Sequence, residues 1–131
     1  ITTIPDFIGD LRKLKYLNLS KNQIINFPSN IDKLKELETL ILNDNKLTSF
    51  PIRINEFESL EFLNLANNQI TSVVDSIEEL DTLKVLDIRG NPITRLPKQL
   101  LKRWNNGKIE ILVDKTNKEF NSQGLDDNND T

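Results

Sequence analysis

The sequence predicts an α/β solenoid: stacked coils of equal length, with a parallel β-sheet on a concave face and short helical or 3₁₀ turns on the convex face. Three observations predict it. Leu14, Leu37, Leu60 and Leu83 recur at a spacing of 23 residues. Each opens one phrase, LKYLNLSKNQI, LETLILNDNKL, LEFLNLANNQI and LKVLDIRGNPI. Within the phrases the apolar positions keep register: Leu17, Leu40, Leu63 and Leu86, then Leu19, Leu42, Leu65 and Ile88, then Ile24, Leu47, Ile70 and Ile93. A unit this short buries little alone, but stacked units share one core.

Residues 1–13 match only the second half of a unit, so an incomplete N-terminal repeat is expected there, followed by four repeats over 14–104. The alternation of apolar and polar residues after each opening leucine is that of a strand with one buried face. It places strands at Tyr16–Leu19, Thr39–Leu42, Phe62–Leu65 and Val85–Ile88. Behind each strand, Ile4, Phe27, Phe50, Val73 and Leu96 share one apolar position, and Ile8, Ile31, Ile54, Ile77 and Leu100 another. Leu11, Leu34, Phe57 and Leu80 form a third. Pro5, Pro28, Pro51 and Pro97 follow the first of these sets, with Val74 the one departure. Proline near the start of a turn loses no needed N–H, so a single helical or 3₁₀ turn fits each convex segment. In the Val74 unit, Asp75-Ser76 opens the same turn.

The two ends differ. Residues 97–113 read as a C-terminal cap: a helix with Leu100, Leu101 and Trp104 on one face, a turn at Asn105-Asn106-Gly107, and a final strand at Lys108–Val113. From 114 to 131 the chain is polar and aperiodic, the composition of a disordered tail. At the other end nothing resembles a cap before Ile1, so the edge of the first strand is expected to show unpaired backbone groups, with Ile4, Leu14 and Leu17 partly uncovered. Self-association through that edge follows as an expectation.

The repeated phrase, with Asn22, Asn45, Asn68 and Asn91 each preceding an apolar residue, resembles the leucine-rich repeat family in its 23-residue class, LxxLxLxxNxIxxxPxxIxxL. The likeness covers about residues 1–104, and its proline and spacing are similar to the Ras-group-like and bacterial members. It implies a right-handed leucine-rich repeat solenoid. It also implies that the four asparagines point inward as a structural ladder, each amide satisfying backbone groups between coils.

Composition narrows the chemistry. There is no Cys and no His, which removes thiolate chemistry, Cys-based metal sites and the commonest general base. No phosphate-binding GxxxxGK[ST] or GxGxxG and no GxSxG elbow occurs. The acidic pair Glu78-Glu79 falls on the convex surface, where a solvated face explains it. Asp126, Asn128 and Asp130 have the spacing that opens a calcium loop, without its glycine or distal Glu. Asn18-Leu19-Ser20 fits a glycosylation sequon on a strand. No cofactor or metal is expected, and no catalysis. The net charge of −3 gives no general attraction to nucleic acid, and no apolar run is long enough to cross a bilayer. Absence of Met implies a processed product or a fragment. Removal of a signal peptide would make the protein secreted or surface-associated; otherwise it is cytoplasmic.

In a solenoid the framework side chains belong to the core, so recognition falls to the outward strand positions. These are Tyr16, Thr39, Phe62 and Val85, then Asn18, Ile41, Asn64 and Asp87, then Ser20, Asn43, Ala66 and Arg89. Tyr16, Ile41, Phe62 and Val85 are expected to form an apolar band flanked by Glu38, Glu61, Asp87 and Arg89, the composition of a protein-binding surface. Sheet faces also favour aromatic and β-branched residues for packing alone, so the band supports either reading. The expected function is a non-catalytic module binding a protein partner through the concave face. The alternative is the recognition segment of a larger kinase, GTPase or ubiquitin ligase.

Overall fold

A computed structural model describes residues 1–51 and 53–114. Five strands, β1 (Tyr16–Asn18), β2 (Thr39–Ile41), β3 (Phe62–Asn64), β4 (Val85–Asp87) and β5 (Glu110–Leu112), form one sheet in the order β1-β2-β3-β4-β5. Every neighbouring pair is parallel and in register, Leu17 beside Leu40, Leu40 beside Leu63, Leu63 beside Leu86 and Leu86 beside Ile111. Opposite the sheet run 3₁₀ turns at Asp6–Asp10, Ile31–Lys33, Ile54–Glu56 and Asp75–Glu79, and then helix α1 (Lys98–Asn105). This is the expected solenoid arrangement, a parallel sheet on one side and short helical turns on the other.

Each strand is one residue shorter than its phrase predicts, and β5 is three residues where six were expected. A sharp bend follows each of the first four strands. Lys21, Asp44, Asn67 and Gly90 occupy one position in successive coils and all have positive φ, between 58° and 71°. The ladder nevertheless continues into the bend, with Leu19 N–H donating to Ile41 C=O at 2.8 Å and Lys21 N–H to Asn43 C=O at 2.9 Å. The left-handed region costs an L-residue roughly 1–2 kcal/mol, which only glycine avoids. Gly90→Ala is therefore expected to lower stability by about 1–2 kcal/mol in a urea titration. A Cβ there would also meet the Asn67 Oδ1, which must move aside.

The core is one continuous apolar cluster from Ile4 to Ile111. Leu40, Leu63 and Leu86, from the middle of three strands, are fully buried. The convex turns contribute Ile8, Ile31, Ile54 and Ile77, also buried. Val74 shows why one proline is dispensable. Its φ of −68° and ψ of 143° match the −62° and 146° of Pro5, so an ordinary residue adopts at that cap the conformation proline would impose.

The asparagines stitch the coils together. Asn68 Nδ2 donates to Leu42 C=O at 3.1 Å in the preceding coil and to Leu65 C=O at 3.0 Å in its own. Its Oδ1 accepts the Leu47 N–H at 3.0 Å. Asn45 and Asn91 repeat the pattern one coil to either side. Asn22 differs: it is half-buried, donates only to Leu19 and Ser20 within its own coil, and accepts from the Ile1 amine at 3.1 Å. Removing a buried partner strands backbone groups at about 1–3 kcal/mol each. Asn68→Ala is thus expected to destabilise clearly more than Asn22→Ala when the two are compared by denaturant unfolding.

The ends close differently. At the C-terminal end Leu100, Leu101, Ile109 and Ile111 are buried beneath α1 and β5, with Trp104 packed against the core. The Arg103 guanidinium donates to the C=O groups of Leu80 and Leu83, both at 3.2 Å, satisfying acceptors of the preceding coil. At the N-terminal end Leu11 is 44% exposed, although it shares its repeat position with buried Leu34, Phe57 and Leu80. Those three lie between two coils and Leu11 has a coil on one side only. Ile4 corrects the expectation in the other direction: it is 5% exposed, its side chain lying in the cluster with Ile8, Ile24 and Ile31. Leu14 and Leu17 are partly buried. The predicted tail, with Asp126, Asn128 and Asp130, lies outside the described residues.

Candidate protein-binding face

The parallel register sorts the outward side chains into rows crossing the sheet. Tyr16, Thr39, Phe62, Val85 and Glu110 form one, and Asn18, Ile41, Asn64, Asp87 and Leu112 the next. Neighbouring positions in a row are separated by the strand spacing, about 4.8 Å. In the first row Tyr16 is 57% exposed and Thr39, Phe62 and Val85 are half-buried, so a continuous, partly apolar stripe faces solvent over a fully buried core. A line of exposed charge borders it at Lys15, Glu38, Glu61 and Lys84, with Glu61 and Lys84 paired at 3.4 Å.

This geometry alters the expected band in two places. Ile41 is not in line with Tyr16, Phe62 and Val85; the register puts Thr39 there and Ile41 in the second row, half-buried between Asn18 and Asn64. Asp87 is not an exposed flank: it is 2% exposed. Arg89 covers it, donating from Nε to Oδ1 at 3.0 Å and from Nη2 to Oδ2 at 2.6 Å. The fork-to-carboxylate match holds the guanidinium charge and raises the Arg89 pKa further above its ordinary value. Arg89 therefore presents a neutralised, exposed planar group rather than a free cation.

The second row also has a structural duty. Asn18 Oδ1 accepts the Ser20 N–H at 3.0 Å and the Ser20 hydroxyl at 2.7 Å. Asn64 Oδ1 accepts the Ala66 N–H at 3.0 Å, and Asp87 Oδ1 the Arg89 N–H at 3.2 Å. Each side chain thereby closes the turn two residues on, a habit of Asx residues. The Nδ2 groups of Asn18 and Asn64 remain without acceptors among the described residues. In the third row Ser20 and Asn43 are half-buried, Ala66 is buried and Asn43 Nδ2 donates to Asp44 Oδ2 at 2.6 Å.

Three members of this surface escaped the sequence. Leu112, half-buried in the second row, follows Asp87 at a spacing of 25 because α1 lengthens the last coil, so the 23-residue period misses it. Lys15 and Lys84 stand beside Glu38 and Glu61 at the same 23-residue period, outside the expected band. The Asp87–Arg89 pair also escaped the sequence, because Arg89 lies just past β4, where strand alternation no longer assigns a face.

The described residues hold no group of three or more His, Cys, Asp or Glu side chains suited to a metal, and no helix among them is long and apolar enough to cross a membrane.

Comparison with known proteins fits this architecture. A family model described as Leucine Rich repeats (2 copies) matches residues 35–81 and 58–102, and one described as Leucine Rich Repeat matches residues 13–34. No curated protein matches the sequence. Among solved structures, a leucine-rich repeat protein of Leptospira interrogans is similar at 29% identity and a TM-score of 0.80, covering 97% of this chain and 33% of its own. The leucine-rich repeat ectodomain of the receptor kinase SOBIR1 from Arabidopsis thaliana has 28% identity and a TM-score of 0.69, over 84% of this chain and 62% of that one. The functional domain of InlJ from Listeria monocytogenes, which includes a cysteine ladder, shares the fold at 20% identity and a TM-score of 0.72, over 92% and 28%. The chain thus spans about a third of the length of the Leptospira protein.

Proposed function

The chain belongs to the leucine-rich repeat family, and from that premise we propose that it is a non-catalytic module that binds a protein partner through its concave sheet face. One observation carries the proposal. The row Tyr16, Thr39, Phe62 and Val85 leaves apolar surface open to solvent in a line, while the alternate residues Leu40, Leu63 and Leu86 are wholly buried. Aromatic side chains within a polar and charged rim are the usual composition of interface hot spots. The rim here is Glu38, the Glu61–Lys84 pair and the Asp87–Arg89 pair, with the free amides of Asn18 and Asn64 able to donate. The lack of His and Cys supports the non-catalytic part of the reading.

The test is affinity capture with three baits: the protein itself, a concave variant carrying Phe62→Asp, and a convex variant carrying Glu79→Lys. A partner retained by the first and third and lost from the second is the expected result. A partner lost only from the convex variant contradicts the proposal. The similar repeats of SOBIR1 form a receptor-kinase ectodomain, which favours a second reading, a recognition segment within a larger signalling protein. Both readings give the concave face the same task.

The open end favours a further property of the same module. Among the described residues, the exposed large apolar side chains Ile1, Phe7, Leu11, Tyr16 and Ile25 all fall within 1–25, beside β1, which is paired on one side only. Copies of the chain associating through this end would cover Ile1, Phe7, Leu11 and Ile25. Sedimentation showing concentration-dependent association is expected, and a monomer at high micromolar concentration contradicts it.

A further inference from the structure

The spacing of the concave row identifies the kind of segment that fits it. An α-helix lying across the strands presents one residue per turn to successive coils, and its turn of about 5.4 Å compares with a coil spacing of about 4.8 Å. Over the three intervals from Tyr16 to Val85 the mismatch accumulates to only ~2 Å, and a tilt of roughly 25–30° removes it. An extended strand laid the same way puts its same-face residues about 6.6–6.8 Å apart, so it drifts by more than a whole coil over the same length. A strand needs a tilt of about 45° to come into step, so the helix is the segment that matches the coils with little tilt.

Charge adds a second condition. Glu61 is paired with Lys84, and Asp87 with Arg89, but Lys15 and Glu38, exposed beside Tyr16 and Thr39, make no ion pair among the described residues. The geometry points to an amphipathic α-helix of a partner protein as the occupant of this face. It spans about three turns, is apolar near i, i+4, i+7 and i+11, and carries a Lys or Arg that reaches Glu38. Its apolar stripe lies over Tyr16, Thr39, Phe62 and Val85, with Ile41 and Leu112 forming one wall and Glu38 and Glu61 the other. This inference rests on the concave-face proposal and adds the secondary structure and charge of the ligand.

Two phage-displayed libraries test it on the intact protein. One presents helix-forming peptides of about 18 residues with variable positions along one face, and the other presents disulfide-closed β-hairpins of similar length. The expected result is enrichment from the helical library of sequences with the stated apolar period and a basic residue. Such peptides should lose at least about tenfold in affinity for Phe62→Asp and, independently, for Tyr16→Asp, each variant first shown to be folded by circular dichroism. Glu38→Lys should abolish the preference for the basic residue. Binders found only among hairpins, yet lost on Phe62→Asp and Tyr16→Asp, overturn the helical ligand and leave the concave face standing. Binders indifferent to both variants, or none from either library, overturn both.

Discussion

Leu63→Ala is expected to lower the unfolding free energy by about 2–5 kcal/mol, read as a fall in the denaturant midpoint with little change in slope. Leu63 lies at the centre of β3, is fully buried, and stands in register with Leu40 on one side and Leu86 on the other. Truncation there removes apolar contacts and leaves a cavity between coils that pack rigidly through their backbones. The neighbours cannot easily collapse into it, because strand pairing fixes the spacing of the coils. A cost in the upper part of the range is therefore expected. An effect below about 1 kcal/mol would mean that this side chain is not in the core at all.

Phe62→Asp combined with Ile41→Asp should have the reverse profile. Phe62 directly precedes Leu63 and faces the opposite side of the sheet, half-buried, as does Ile41. Asp is a poor strand residue, at about 1 kcal/mol per site, and the lost partial burial of Phe62 and Ile41 adds to that, so a lower melting temperature with an intact fold is expected. Loss of an aromatic and an aliphatic anchor from an interface, with two charges introduced opposite them, is worth several kcal/mol of binding, or a fall in affinity of about a hundredfold or more. Binding is measured by calorimetry with the captured partner, and folding by thermal melting of the same sample. Intact binding by the folded double variant contradicts the proposed face, and unfolding of the variant contradicts the outward placement of the two side chains.

How much of this was legible follows from what repeats. Leu40, Leu63 and Leu86 recur because every internal coil needs the same inward residue, so period and face were plain from sequence. Features set by one coil alone were hidden. Leu11 occupies a core position by sequence but is exposed, because burial depends on a neighbouring coil and not on the residue. Leu112 joins the concave surface from a coil of different length. The bends at Lys21, Asp44 and Asn67 need positive φ, yet the residues there give no glycine signal; the stack of coils imposes the conformation. Asp87 reads as an exposed acid until Arg89 is seen to cover it. For the candidate site, rows and faces were readable, while the straightness of the stripe and the charges left free on its rim required the register.

The claim on which the rest depends is that a protein partner contacts the sheet face. Photo-crosslinking tests it most directly, with p-benzoylphenylalanine placed at Phe62 on the concave face or at Glu79 on the convex face. The account predicts a discrete adduct from position 62, suppressed by excess unlabelled protein, and none from position 79. An adduct formed only from position 79, or equally from both, would contradict it.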